Sequence, residues 1–284
     1  MDESRPPFLR VGPERPASPV VLSVPHAGRA YSDDLLRASR LPRHKLEILE
    51  DRLVDRLVWR AVEAGCAAFI AAAPRAEIDL NRDEREIDPA MVYPTPAPST
   101  LLQSPRTRGG LGLVPARISG AGSIWLQRIG QAEIERRTAE IHRPYHAALA
   151  QALEAARQQF GVAILLDCHS MPPRAGEEGA IVFGDRHGTS IAPDLTAAAV
   201  AAAEAEGFAT ARNAPYAGGH ITSRHGRPGE GVHALQIEID RSLYLDAALR
   251  APGPGFDRTA RMIAAVAQAL AAKALEPPQA IAAE

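Results

Sequence analysis

With 284 residues, the chain is long enough for one large α/β domain or two small ones. Hydrophobic residues at 46% and charged residues at 23% exclude a disordered or collagen-like chain. The balance of 32 Lys+Arg against 34 Asp+Glu, a formal charge of −2, leaves no electrostatic footprint for a nucleic-acid partner.

The polar, proline-rich opening MDESRPPFLRVGPERP contains neither a signal-peptide apolar region nor an amphipathic transit helix. No apolar run reaches the roughly 18 residues of a membrane span. A soluble cytoplasmic protein with no membrane partner is therefore expected. Pro19–Val24 (PVVLSV) reads as a buried parallel strand that ends at Pro25-His26-Ala27-Gly28. From Pro42 to Ala64, Leu46, Leu49, Leu53 and Leu57 recur at helical spacing, with Val54, Val58 and Trp59 widening the face, until Gly65 stops the helix. Cys66–Ala73 is a second strand and leads into Pro74-Arg75-Ala76-Glu77-Ile78-Asp79-Leu80-Asn81-Arg82. Cys66 and Cys168 are isolated in apolar runs and read as buried reduced thiols.

Residues 83–122 are dense in Pro and Gly and predict a long ordered excursion near the functional site. A helical pattern follows from Ser123 to Gln159, with a break or kink expected at Pro144. Val162–Leu166 predicts a third strand ending in Asp167-Cys168-His169-Ser170, and Ala180–Phe183 a fourth. Pro193–Glu206 is an Ala-rich helix, Val232–Ile239 a fifth strand before Asp240-Arg241, and Phe256–Leu275 a closing helix. Alternating strands and helices predict a single α/β domain over 1–284, with a mostly parallel or mixed central sheet covered by helices on both faces.

In such sheets, function gathers beyond the carboxyl ends of the strands. There the sequence offers His26, the Asp79–Arg82 segment, Asp167 and His169, with Glu238 and Arg241 on or after the last strand. Two imidazoles plus a carboxylate, with a fourth position open, is the composition of a zinc hydrolase site. Each residue alone reads more readily as a hydrogen-bonded structural group; only the two histidines together at strand ends bring the metal reading level with it. Alternation in Leu235-Gln236-Ile237-Glu238-Ile239-Asp240 places Gln236, Glu238 and Asp240 on one face. A carboxylate in so apolar a strand needs a partner: either a metal-bound water for which it is the base, or a buried arginine. His142 and His146 are spaced i,i+4, but Pro144 lies between them and no Glu follows His142 as in HExxH, so a packing or substrate-edge role is expected.

Six ordered blocks resemble the N-formylglutamate amidohydrolase family: SVPHAG, EDRLVDRLV, PRAEIDLNR, LLDCHSMP, NAPYAGGHITSRHGRP and ALQIEIDRSLYLD, spanning roughly residues 20 to 246. His225 and Leu245 depart from the aromatic and Met expected there. The resemblance implies a fold similar to the zinc carboxypeptidase-like phosphorylase/hydrolase group, a zinc cofactor and hydrolysis of an N-acyl amino acid, with N-formyl-L-glutamate and histidine degradation as the implied substrate and pathway. His26, His169 and Asp51 match its metal ligands, with Glu50 adjacent as the alternative third ligand. Asp51 would be carried by the first helix, unless it and Asp55 sit on a solvated face pairing with Arg52 and Arg56. Asp167 would orient an imidazole. Glu238 would be the general base. Arg75, Arg82, Arg227 and Arg241 are candidates for substrate carboxylates, with Arg82 and Arg227 preferred and Arg82 also given a catalytic role; Arg75 and Arg241 could instead pair with Asp79 and Asp240. Asn213 and the Gly218-Gly219 turn would shape the pocket wall. The rival readings are a zinc carboxypeptidase or a deacylase of other N-acyl amino acids or small peptides, and a non-catalytic binding protein of the same fold.

Overall fold

In the computed structural model, residues 6–174 and 180–277 are described, so the first five residues of the polar opening lie outside them. The five apolar runs become strands because each is rich in Val, Ile, Leu and Ala and is buried on both sides. With two edge strands they make one mixed sheet: β1 (Phe8–Val11), β2 (Val20–Val24), β3 (Ala67–Ala71), β4 (Ala163–Met171), β5 (Ile181–Gly184), β6 (Thr210–Arg212) and β7 (Val232–Asp240). The spatial order is β1-β3-β2-β4-β7-β5-β6. β3, β2, β4 and β7 run parallel, as do β5 and β6, while β1 on β3 and β5 on β7 are antiparallel. The edge strands β1 and β6 carry no long apolar run, which is why the sequence does not mark them.

Helices cover both faces. Ile164, Leu166 and Cys168 of β4 and Leu235, Ile237 and Ile239 of β7 share a core with α2 (Pro193–Ala205) and α4 (Phe256–Ala274). On the other face, Ala163 and Leu165 of β4 and Val232 and Ala234 of β7 pack with α1 (Arg143–Phe160) and with Met91, Val92, Leu113 and Val114 of the 83–122 excursion. That second face changes character along the strands. Its next residues are Asp167 and His169 on β4 and Gln236 and Glu238 on β7, and the register places Glu238 beside His169. One side of the central strands is thus core at the amino end and polar at the carboxyl end.

Three expected elements are redrawn. The helix over Pro42–Ala64 is broken into Arg43–Leu46, a 3-10 turn Glu47–Leu49, and the short helices Val54–Leu57 and Trp59–Glu63. Leu53 adopts a left-handed φ of 62° at the break, and the Asp51 N–H donates to the His26 carbonyl at 2.9 Å, so Asp51 sits in a pinned loop and not on a helix. The third strand runs on to Met171, so Asp167 and His169 lie within it. The long helix begins at Gln131, not Ser123, and has a π turn over Thr138–His142. Pro144 has no N–H to continue the i→i+4 ladder, and the π turn absorbs the lost register.

Candidate metal centre at the carboxyl ends of the strands

β2 delivers His26 to the turn after its carboxyl end, β4 carries His169, and the loop before Val54 carries Asp51. All three are at most 2% exposed. His26 Nδ1 and His169 Nδ1 are 3.1 Å apart, and each approaches Asp51 Oδ2, at 3.2 and 3.0 Å. The far nitrogens are also held: His26 Nε2 is 2.7 Å from Asp79 Oδ1, and His169 Nε2 is 2.9 Å from Asp167 Oδ2. With each Nε2–H donating to a carboxylate, both Nδ1 lone pairs and a carboxylate oxygen converge on one point. Three electron-rich atoms at that spacing repel unless a cation or a proton lies among them. The separations are close to the roughly 3.4 Å between ligand atoms of a tetrahedral zinc. The remote carboxylates are the supports that metal-bound histidines ordinarily have. The donor set therefore fits a divalent metal.

Electrostatics show the same tension. Burial alone would raise Asp51, but hydrogen bonds with His169 and His26 hold it well below the usual carboxylate range. Burial would lower His169, but Asp167 and Asp51 hold it well above an ordinary histidine. Asp79 is kept ionised against its burial by Arg75, Arg82 and His26. Ser23 Oγ donates to Asp167 Oδ1 at 2.7 Å and contacts the Tyr145 hydroxyl at 2.9 Å, so this carboxylate is fixed in turn.

Glu238, on β7 beside His169, is 8% exposed. Burial, reinforced by the Asp51 charge, pushes its carboxyl up to about 7 against the attraction of His169 and Arg75. Its Oε1 accepts from Gln236 Nε2 at 2.9 Å. No arginine forms an ion pair with it among the described residues, which removes the buried-pair alternative. Glu50 is not aimed at the centre: its oxygens accept from the Tyr31 hydroxyl and Arg52, both at 2.8 Å. Asp55 pairs with Arg29 and not with Arg52 or Arg56.

The arginines are redistributed. Arg82, 4% exposed, donates to the carbonyls of Leu111 and Asn81 at 2.8 and 2.7 Å. It ties the excursion to the site loop, and its Nη2 lies 3.7 Å from Asp79 Oδ2, so most of its donors serve the protein in place of the ligand roles expected of it. Arg227 pairs with exposed Glu230 and bridges Val232, at the opposite end of β7 and about 20 Å from Glu238 at ~3.3 Å per residue. It cannot bind a substrate there. Arg241 reaches Asp51 Oδ1 at 3.3 Å and the Glu50 carbonyl at 2.6 Å, bracing the Asp51 loop; Asp240 instead accepts from the Arg174 and Ser242 N–H groups. Arg75 donates through Nε to Asp79 Oδ2 at 2.9 Å, and its charge acts on Glu238. Its terminal nitrogens make no hydrogen bond among the described residues, which leaves them free for a ligand beside Glu238.

Asn213 is also displaced from its expected role. Its side chain accepts from the Asp185 N–H at 3.1 Å and donates to Asp185 Oδ1 at 2.7 Å, fixing a turn and not a pocket wall. Gly219 is at the site: a Cβ there would lie 2.3 Å from the Asn81 amide. That amide sits 3.1 Å from His169 Nε2 and accepts from the Ile221 N–H at 2.8 Å. Asn81 and Tyr216 are the residues that sequence reasoning left without roles. The half-buried Tyr216 hydroxyl is raised by burial and by the charges of Glu238 and Asp51, so it feels the site's field. Their only signal was membership in the loop after the second strand and in the Gly-containing block.

The fold and site together define a mixed-sheet α/β protein with a buried two-histidine, one-carboxylate centre at the carboxyl ends of parallel strands. A family model for N-formylglutamate amidohydrolase matches residues 18–245, and the chain belongs to that family. N-formylglutamate deformylases of Pseudomonas putida and Pseudomonas aeruginosa are each 29% identical over 236 residues, 80% of this chain and 82% of theirs. The crystal structure of N-formylglutamate amidohydrolase from Ralstonia eutropha JMP134 superimposes with a TM-score of 0.87 at 34% identity, covering 95% of this chain and 98% of that one.

Proposed function

We propose that the chain hydrolyses N-formyl-L-glutamate to formate and glutamate at a zinc centre held by His26, Asp51 and His169. The observation that carries the reading is the convergence of His26 Nδ1, His169 Nδ1 and Asp51 Oδ2 within 3.0–3.2 Å, with Glu238 alongside. A zinc ion held there supplies Lewis acidity, polarising the formyl carbonyl and lowering the pKa of a water molecule. Glu238 accepts the proton that water loses as its oxygen attacks the formyl carbon. The same carboxyl then protonates the departing nitrogen as the C–N bond breaks, so water is divided between formate and the free amine. A carboxyl poised near neutral pH suits both transfers. Asp79 and Asp167 keep both imidazoles in the tautomer that presents Nδ1. Arg75 is the residue we assign to a substrate carboxylate or the developing oxyanion, with Gly219 and Tyr216 forming nearby wall.

The named activity of the Pseudomonas and Ralstonia relatives supports the choice of substrate. Histidine degradation and the cytoplasm are part of the same proposal; two buried free cysteines fit a reducing compartment, and no described helix is long and apolar enough to cross a membrane. A hydrolysis screen of the zinc-loaded chain over N-formyl, N-formimino and N-acetyl amino acids tests the reading. N-formylglutamate should give the highest kcat/KM. Faster turnover of an N-acetyl or a neutral N-formyl amino acid would overturn the substrate assignment.

A further inference from the structure

A second histidine cluster lies behind the site loop and has no part in the mechanism above. His142 ends the π turn, His146 is on α1, and His220 and His225 are on α3 (His220–His225). One ring nitrogen from each of His142, His146 and His220 lies within 4.8 Å of the others. The imidazoles of His142 and His146 are fixed by carbonyls on either side of Asn81: His142 Nε2 donates to Arg82 O and His146 Nε2 to Leu80 O, each at 2.9 Å. Those bonds settle the tautomers and leave Nδ1 of both rings as bare lone pairs. His142 Nδ1 and His220 Nε2 are buried and have no hydrogen-bond partner. His146 Nδ1 lies 3.0 Å from His225 Nε2 and has a single lone pair, so an ion there requires His225 to carry its proton on Nδ1 and to present Nε2 as a fourth donor.

Two unpartnered buried nitrogens in one cluster of imidazoles are costly for a protein that had nothing to place there. Burial pushes all four imidazoles down, His220 to about 4 and His225 to about 3, so they are neutral donors at ordinary pH. The surrounding charges are mixed: Glu84 Oε1 is 3.6 Å from His142 Nδ1 and Asp83 acts on His220, while Arg224 opposes them. All-imidazole sets suit zinc and its late first-row neighbours, not calcium or magnesium.

We propose that His142, His146 and His220 form a second site for a late first-row divalent metal, distinct from the centre at His26, Asp51 and His169. Its role is structural. An ion there holds both imidazoles whose N–H groups pin the Leu80 and Arg82 carbonyls, and so holds Asn81 against His169.

Zinc stoichiometry by atomic emission, on chelator-stripped full-length chain dialysed against micromolar zinc, tests this. Wild type should hold about two ions, His169→Ala about one, His220→Ala or His220→Gln about one, and the double variant almost none. Cobalt loaded into His169→Ala should show tetrahedral visible absorption that His220→Gln abolishes, and zinc should raise the thermal midpoint of His169→Ala but not of the double variant. A single ion in wild type that His220 variants retain, or a double variant that binds as much as His169→Ala, would overturn the proposal. A single ion lost in His220→Gln but kept in His169→Ala would support it while refuting the first centre, so the two failures are distinguishable.

Discussion

Replacing Glu238 by Gln separates a general base from a structural carboxyl, because the two roles change stability in opposite directions. In the folded chain burial raises this group from 4.5 to about 7. A carboxyl whose native pKa is raised costs nothing below its unfolded pKa, and the folded state loses stability as pH climbs from that value through the native one. At 1.36 kcal/mol per unit, the full loss is about 3 kcal/mol above pH 8, and less than 1 kcal/mol of it is present at pH 5. Gln keeps the shape and can still accept from Gln236, yet carries no charge to desolvate. Metal-free Glu238→Gln should therefore melt ~5–10 °C above metal-free wild type at pH 8, with most of the gap gone at pH 5. Zinc-loaded, the same variant should bind metal and substrate while kcat falls by roughly 10²–10⁴. Differential scanning calorimetry and formate release on one preparation give both readings. A variant less stable than wild type at pH 8, or one with normal kcat, would refute the reasoning.

Asp167→Asn should leave the fold intact but weaken zinc binding by roughly 10- to 100-fold, since it loosens the support of His169; competition with a chromogenic chelator measures it. Arg75→Ala should cut kcat/KM for N-formylglutamate roughly 30- to 1,000-fold and do much less to a formylated neutral amino acid, while Arg227→Ala should change neither by more than about twofold. Equal losses on both substrates would refute the side-chain carboxylate role and leave Arg75 to the oxyanion or to the support of Asp79. Gly219→Ala should lower kcat/KM by displacing Asn81, since its Cβ would fall 2.3 Å from that amide, and a crystal structure of the variant would show the shift.

The strands that hold the centre were legible because period-two alternation and apolar runs depend on local sequence alone. Glu238 stood out as a carboxylate on the polar face of a buried strand, and the alternation around it is the one observed. His26 was legible as a strand-end imidazole, and His169 as one at a strand's carboxyl end, although the strand continues past it to Met171. The setting of Asp51 was not, because the helix break depends on a left-handed Leu53 and on a backbone bond to His26. Nor could the sequence rank Arg75 above Arg82. The two share one block, and what occupies Arg82 is a carbonyl at Leu111, delivered by the excursion. His142 and His146 lacked a motif because the third member, His220, arrives from a distant helix through tertiary folding.

The central claim is that amide hydrolysis depends on a divalent metal held by His26, Asp51 and His169. Formate release from N-formyl-L-glutamate by the chelator-stripped chain, before and after zinc is restored, tests it most directly when run beside His169→Ala. The account predicts negligible release from the stripped chain, recovery with zinc in wild type, and no recovery in His169→Ala. Full activity without metal, or zinc-restored activity in His169→Ala equal to wild type, would contradict it.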